Sequence, residues 1–420
     1  MGAQAHKRLT PRRLLAVDPV NMVALAAAFR PRCPEINPLA SQGGVVLLLS
    51  SMLRPHLLFC PYLSLNSPVP FADWEVGPLE SFKDRWRNPR FKDQATAFLN
   101  KFVGPDNEPI EKPSLLCKAG EQLHGQRPLD EEVRALGLSL IFAAVDRNPR
   151  QRPEGIHDGS GIVTADNAEL YVWPIDLEHG HVTLSHGILV EVKTGGYKIS
   201  DPELVLRPPR DLHMPILAPP PDPLVLTGIY ETVLRSLRSP GECPTADQVR
   251  VASEWFAKAW SNTQSVQWQE RLVYLKTAFE ALTGTSTNWK SAGRLRKIFE
   301  ALPDTIDEED SEILVWSREE APIHTRTWSD KNCRLRSTLI TDLEHWFMEF
   351  GDARNAIIHK GESPELTYSG SNPAYNGDFF WTAEFLLRGV IKVLLSRLGY
   401  DNAWRSELWK SINAVWPEVD

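Results

Sequence analysis

Seven of the seventeen residues in RPPRDLHMPILAPPPDP, 207 to 223, are proline. Proline fixes φ and lacks an N–H, so the segment can be neither helix interior nor central strand. It reads as a linker, and the hydrophobic period changes across it. Before it, from 52 to 206, apolar residues alternate or form short runs ended by Gly, Pro and Asp, as in HLLFCPYLSL (56–65), AELYVWPI (168–175), HVTLSHGILVEVK (181–193) and ELVLR (203–207). These are strand signals. Helical spacing separates them in FKDQATAFLNKFV (91–103) and DEEVRALGLSLIFAAV (130–145). The expectation for 52–206 is an α+β recognition or sensor domain built on an antiparallel sheet with helices.

From 224 to 420 the period is that of a helix. LVLTGIYETVLRSLR (224–238) repeats apolar residues at three and four, and ADQVRVASEWFAKAW (246–260) follows a cap-like Thr245 and buries Ala252, Trp255, Phe256 and Ala259. The next helix, 265–283, carries a stripe of Trp268, Leu272, Leu275, Phe279 and Leu282. Further helices are expected near 337–359, 378–398 and 403–415, giving an all-α up-and-down bundle. No internal repeat is visible.

Composition restricts the partners. With 42% apolar and 24% charged residues the chain is globular, and 420 residues allow two cores. A net charge of −8 supplies no global field for nucleic acid, so RNA binding would need a local basic patch. Cys33, Cys60, Cys117, Cys243 and Cys333 are scattered, odd in number and not at zinc spacing, which favours free thiols in a reducing compartment. Residues 1–51 have the basic start and apolar middle of an export signal, including Arg12 and Arg13, but Asp18, Pro19 and Asn21 interrupt it and no clear cleavage site follows. A disordered extension, or an upstream start with Met52 as the functional beginning, is the simpler reading. No run approaches the roughly 18 apolar residues of a membrane span. A soluble, cytoplasmic protein is expected.

ARNAIIHKG, residues 353–361, breaks the bundle pattern. Over 339–359, at about 100° per residue, Leu339, Leu343, Trp346, Phe350, Ala353 and Ile357 form one stripe, with Phe347 and Ile358 at its edge. Arg354 falls inside it, where the pattern alone predicts leucine. A guanidinium there is costly unless it meets an anion or a wet cleft. Asn355 and His359, four apart, share the neighbouring face.

This Arg-Asn-x-x-x-His at the end of a late helix resembles the RxxxxH motif of the HEPN superfamily, and ERLVYLKTAFEALTG (270–284) resembles the acidic helix of its ApeA-like branch, with Glu280 in the matching place. The likeness covers roughly residues 245–400. It implies a metal-independent endoribonuclease without cofactor, often a toxin or anti-phage effector, working as a homodimer that joins two copies of the motif on RNA. A regulatory partner or a phage-derived trigger would control it. The chemistry suits the residues: cleavage by the RNA's own 2′-hydroxyl needs a base, an acid and a cation for the phosphorane. His359 can move protons near neutral pH, Arg354 offers a fixed charge with a fork of donors, Asn355 would orient phosphate or histidine, and Glu280 could hold Arg354. Two other readings stay open. The bundle could bind nucleotide or a partner chain without turnover, or Arg354–Glu280 could be a structural ion pair, with His359 suiting the helix dipole.

Other candidates lie in the first half. Glu191 and Lys193 in HGILVEVKTGG present an ExK pair at a strand end, and with Asp176 or Asp166 they could hold Mg²⁺ in a metal-dependent nuclease. His179, His181 and His186 invite a metal site but lack zinc spacing. RWRNPRFK, with Arg85, Trp86, Arg87, Arg90, Phe91 and Lys92, interleaves cations and aromatics as an RNA-gripping surface does, or is a solvated loop; Lys360 beside the motif is a further phosphate contact. No Walker A loop, dinucleotide glycine fingerprint or nucleophile elbow is present.

Overall fold

The computed structural model describes residues 56–86, 89–100, 102–103, 110, 112–121, 123, 128–147, 163–174, 216–218, 220–261, 268–300, 321–329, 332–361, 364–370 and 375–400. Five strands form an antiparallel sheet in the order β3-β4-β5-β1-β6: β1 (His56–Cys60), β3 (Val69–Phe71), β4 (Trp74–Pro78), β5 (Ser114–Lys118) and β6 (Tyr171–Pro174). β2 (Leu63–Leu65) pairs in parallel with β7 (Ile216–Ala218). Successive strand side chains face opposite sides, and here both sides are covered. Leu58, Cys60, Val76 and Leu116 join the main core. Leu57, Phe59, Leu115, Cys117 and Trp173 join a second one, closed by Ala95, Phe98 and Leu99 of α1 (Pro89–Leu99) and by Phe82 of a 3-10 helix, Leu79–Arg85. The Phe59 ring stands edge-on to Phe98 at 5.9 Å and to Phe102 at 5.3 Å. Burial on both faces explains why β1 reads as an unbroken apolar run.

The helices are α2 (Asp130–Asp146), α3 (Pro223–Arg238), α4 (Pro244–Ala259), α5 (Trp268–Thr283), α6 (Asn288–Glu300), α7 (Asp342–Asn355) and α8 (Phe379–Arg397). The proline segment enters α3 without loss. Pro223 sits in the first turn, where no N–H is needed, and the Asp222 carboxylate accepts from the Leu224 N–H at 2.8 Å. One core crosses this segment. Phe142 of α2 lies 5.1 Å from Phe256 of α4, Trp74 Nε1 donates to the Tyr230 hydroxyl at 3.1 Å, and buried side chains from β1 to α8 form a single cluster. From Met52 on, the chain is one compact unit.

The expected fold class is observed: a sheet with helices first, a helical region after it. Two elements differ from the sequence reading. Helix α6 was not foreseen, because its apolar stripe, Ala292, Leu295, Ile298 and Phe299, is short and set among basic residues. A hairpin of β8 (His324–Ser329) and β9 (Leu335–Ile340) takes the start of the helix expected at 337. Thr341 caps α7 instead, accepting from the Glu344 N–H at 3.2 Å, while the Glu344 carboxylate accepts from the Thr341 N–H at 2.9 Å. That reciprocal cap fixes the helix start, and it leaves Leu339 exposed on a strand, outside the apolar stripe. The expected helix at 403–415 lies outside the described residues. No helix among the described residues is long and apolar enough to cross a membrane. Cys60, Cys117, Cys243 and Cys333 are free thiols.

Helices α6 and α7 approach closely at Gly351. A Cβ there would overlap the Asn288 side-chain amide, which donates to Asp352 Oδ1 at 3.3 Å. Alanine is the better helix former by about 1 kcal/mol, and against that stands displacement of the Asn288 amide with loss of its bond to Asp352. Gly351→Ala is expected to lose about 1–3 kcal/mol, read as a lower urea midpoint at unchanged slope.

Candidate functional site

Phe279 of α5 stands edge-on to Phe347 of α7 at 5.3 Å, and this contact registers the two helices. Glu280 follows Phe279, Arg354 lies one turn past Phe350, and both are close enough to Lys276 of α5 to act on its charge. Arg354 is half-buried. Its Nη1 donates to Asn355 Oδ1 at 3.1 Å, and its buried Nε has no hydrogen-bond partner among the described residues.

After Asn355 the helix widens. Residues Ala356–Lys360 form a π turn, closed by Gly361 at φ 65°, whose N–H bonds to the Ala356 carbonyl. Hydrogen bonds of a π turn span five residues rather than four, which winds later side chains back relative to the α frame. Arg354 and His359, five apart, therefore move toward a shared face, and Asn355 and His359, four apart, keep theirs. His359 and Lys360 are exposed on this turn.

Glu280 does not hold Arg354. Its carboxylate accepts from Lys276 Nζ at 3.0 Å, because Lys276 lies one turn earlier on the same helix. Lys276 is fully buried, with its ammonium 5.0 Å from the Phe347 ring centre. Burial pulls its pKa below the usual lysine value, Arg354 adds to that, and Glu280 and Asp352 oppose it. Lys276, Glu280, Asp352 and Arg354 are thus one electrostatic group. Two neighbouring cations, one of them with an unfilled buried donor, form a setting that an added anion would stabilise. Sequence reasoning missed Lys276, although it lies four residues from Leu272 and so on the apolar stripe.

A second polar cluster sits on α7, nine residues before Arg354 and so about 180° around the helix. His324 pairs with Asp342, the His324 and His345 rings stack at 4.2 Å, and His345 Nδ1 meets the Tyr368 hydroxyl at 2.8 Å. Burial, and then His324, lower the His345 pKa. The cluster needs β8, α7 and β10 (Thr367–Tyr368), which are far apart in sequence.

In the expected RNA-gripping stretch, the described residues Arg85 and Trp86 serve the fold. Arg85 pairs with Glu75 of β4, and Trp86 is packed into the second core at 9% exposure, so the indole is spent on folding rather than offered to a base. Lys92 is half-buried; Arg87 and the side chain of Arg90 lie outside the described residues. Asp166 accepts from the Ser261 hydroxyl at 3.2 Å. Asp176, Glu191, Lys193, His179, His181 and His186 also lie outside the described residues. Comparison with protein-family models, with curated proteins and with solved structures finds no match for this chain.

Proposed function

We propose that the chain is a metal-independent endoribonuclease of HEPN type, cleaving RNA by attack of the 2′-hydroxyl. The observation that carries the reading is half-buried Arg354 with its unfilled Nε, close to buried Lys276 and followed by the π turn that carries exposed His359. A phosphodiester placed against Arg354 meets a fixed cation that can follow charge onto the phosphorane oxygens. Lys276 strengthens that field from below. Asn355, already bonded to Arg354, orients the guanidinium. His359 exchanges the proton of the attacking hydroxyl or of the leaving 5′-oxygen, and a second copy in a homodimer supplies the other proton step. The physiological role that goes with this chemistry is a cytoplasmic toxin or anti-phage effector held in check until a partner or trigger releases it.

The test uses purified protein and end-labelled RNA. Cleavage is expected to continue in EDTA and to leave 2′,3′-cyclic phosphate ends. EDTA-sensitive cleavage, or retention of RNA with no turnover, would overturn the reading.

A further inference from the structure

The chain's net charge of −8 requires any RNA contact to rest on a local basic patch. The hairpin β8–β9 is such a patch. Among its described residues, 321–329 and 332–340, it carries Arg326, Arg334 and Arg336 and no acid. Almost all of the hairpin is solvent-exposed.

Its aromatic content is arranged, not scattered. The Arg326 guanidinium lies 4.9 Å from the Trp328 ring centre and 5.0 Å from that of Trp289 on α6, so one cation bridges two indoles. Both stay open to solvent, Trp289 at 47% exposure and Trp328 at 37%. Strand pairing sets Arg336 directly across from Trp328, and residues opposite each other share a face. Lys290 adds a further cation, 5.7 Å from the Trp289 ring. Exposed indoles normally cost solubility and are used elsewhere in this chain to fill cores, as Trp346 is.

We infer that Trp289, Arg326, Trp328 and Arg336 form a platform for single-stranded RNA, with bases stacking on the indoles and phosphates meeting the arginines. The inference rests on the endoribonuclease reading for its choice of ligand. Charge and ring content favour a single strand over a protein partner: every nucleobase has a face to stack, and a backbone of phosphates matches the cationic face. The guanidinium between the rings holds both indoles in place before a base arrives, which lowers the entropy cost of binding. The platform lies near the last turn of α7. Asn288, the neighbour of Trp289, bonds to Asp352, two residues before Arg354. A strand lying on the hairpin therefore passes the end of α7.

The experiment measures binding without cleavage, using the full chain and a fluorescein-labelled 2′-O-methyl oligoribonucleotide of about a dozen nucleotides, a length set by typical single-strand site sizes. The 2′-O-methyl group blocks the attacking hydroxyl, so affinity is read whether or not the protein is a nuclease. Trp289→Ala and Trp328→Ala are each expected to weaken binding on the order of tenfold. Trp328→Phe, which keeps a stacking ring, should recover most of the loss. Arg326→Ala should shrink the slope of log affinity against log salt by about 0.7. A perfect duplex of the same sequence, whose bases are not available to stack, should respond little to the tryptophan variants. Wild-type protein that does not bind the single strand, or tryptophan variants that bind it as wild type does, would overturn the platform. So would loss of a dimer in Trp328→Ala, seen by light scattering, with affinity for the strand intact.

Discussion

Arg388→Ala is expected to lower the unfolding free energy by about 3–5 kcal/mol, among the largest single losses available in this chain. Arg388 is 8% exposed on α8. Its Nη2 donates to Glu384 Oε2 at 3.0 Å, its Nε lies in ion-pair contact with Oε1 at 2.5 Å, and Nη1 donates to the Asp146 carbonyl at 2.8 Å. Lys392 Nζ approaches Asp146 Oδ2 at 2.7 Å. Asp146 ends α2, so this network ties the sheet-bearing half to the last described helix. Removing Arg388 leaves two buried carboxylates sharing one ammonium, and the cost is the desolvated charge left behind rather than the lost contact alone.

Glu384 gives this network a pH signature. Burial pushes its carboxyl from 4.5 up to about 7, and Arg388 and Lys392 pull it back. A carboxyl whose folded pKa is raised binds more protons folded than unfolded. Its contribution is therefore complete below pH 4.5 and lost as pH rises through about 7. Urea midpoints of the wild type should fall between pH 5 and 8 relative to Glu384→Gln, which has no such proton to release. Parallel pH profiles for the two proteins would show that Glu384 is ionised throughout.

His359→Ala should reduce RNA cleavage by about 10²–10⁴-fold, the usual worth of a positioned acid–base group. Arg354→Ala should cost about 10²–10³-fold, as loss of one stabilising donor of a developing oxyanion does. Neither variant should move the unfolding midpoint much. His359 is exposed, and Arg354 gives up a single hydrogen bond, to Asn355. Arg354→Lys separates charge from geometry: an ammonium keeps the field but loses the fork, so partial activity is expected. Cleavage at the wild-type rate in His359→Ala would remove the basis of the proposed mechanism.

Where periodicity was long and one-sided, the sequence was enough. Helices α3, α4, α5 and α8 and strands β1 and β6 fall close to where spacing and turn residues place them. Arg354 was legible as a polar group inside an apolar stripe, on the helix whose Phe347 packs against Phe279. The partner of Glu280 was misassigned, since a neighbour one turn away on the same helix wins over one on another helix. Trp86 was misread for a related reason: whether an indole is core or surface depends on what packs over it. Trp86 and Trp328 look alike in sequence, and one is buried while the other is open.

Composition and period by themselves fixed the fold class and the helix that leads through Arg354 and Asn355 toward His359, because local backbone preference and burial of one face need no distant partner. Tertiary structure alone decided which charges meet. The Lys276–Glu280–Arg354 group, the Asp146–Arg388 network and the Trp289–Arg326–Trp328 bridge each depend on approaches of a few ångströms, two of them between segments remote in the chain, and such distances are set by packing rather than by any local pattern.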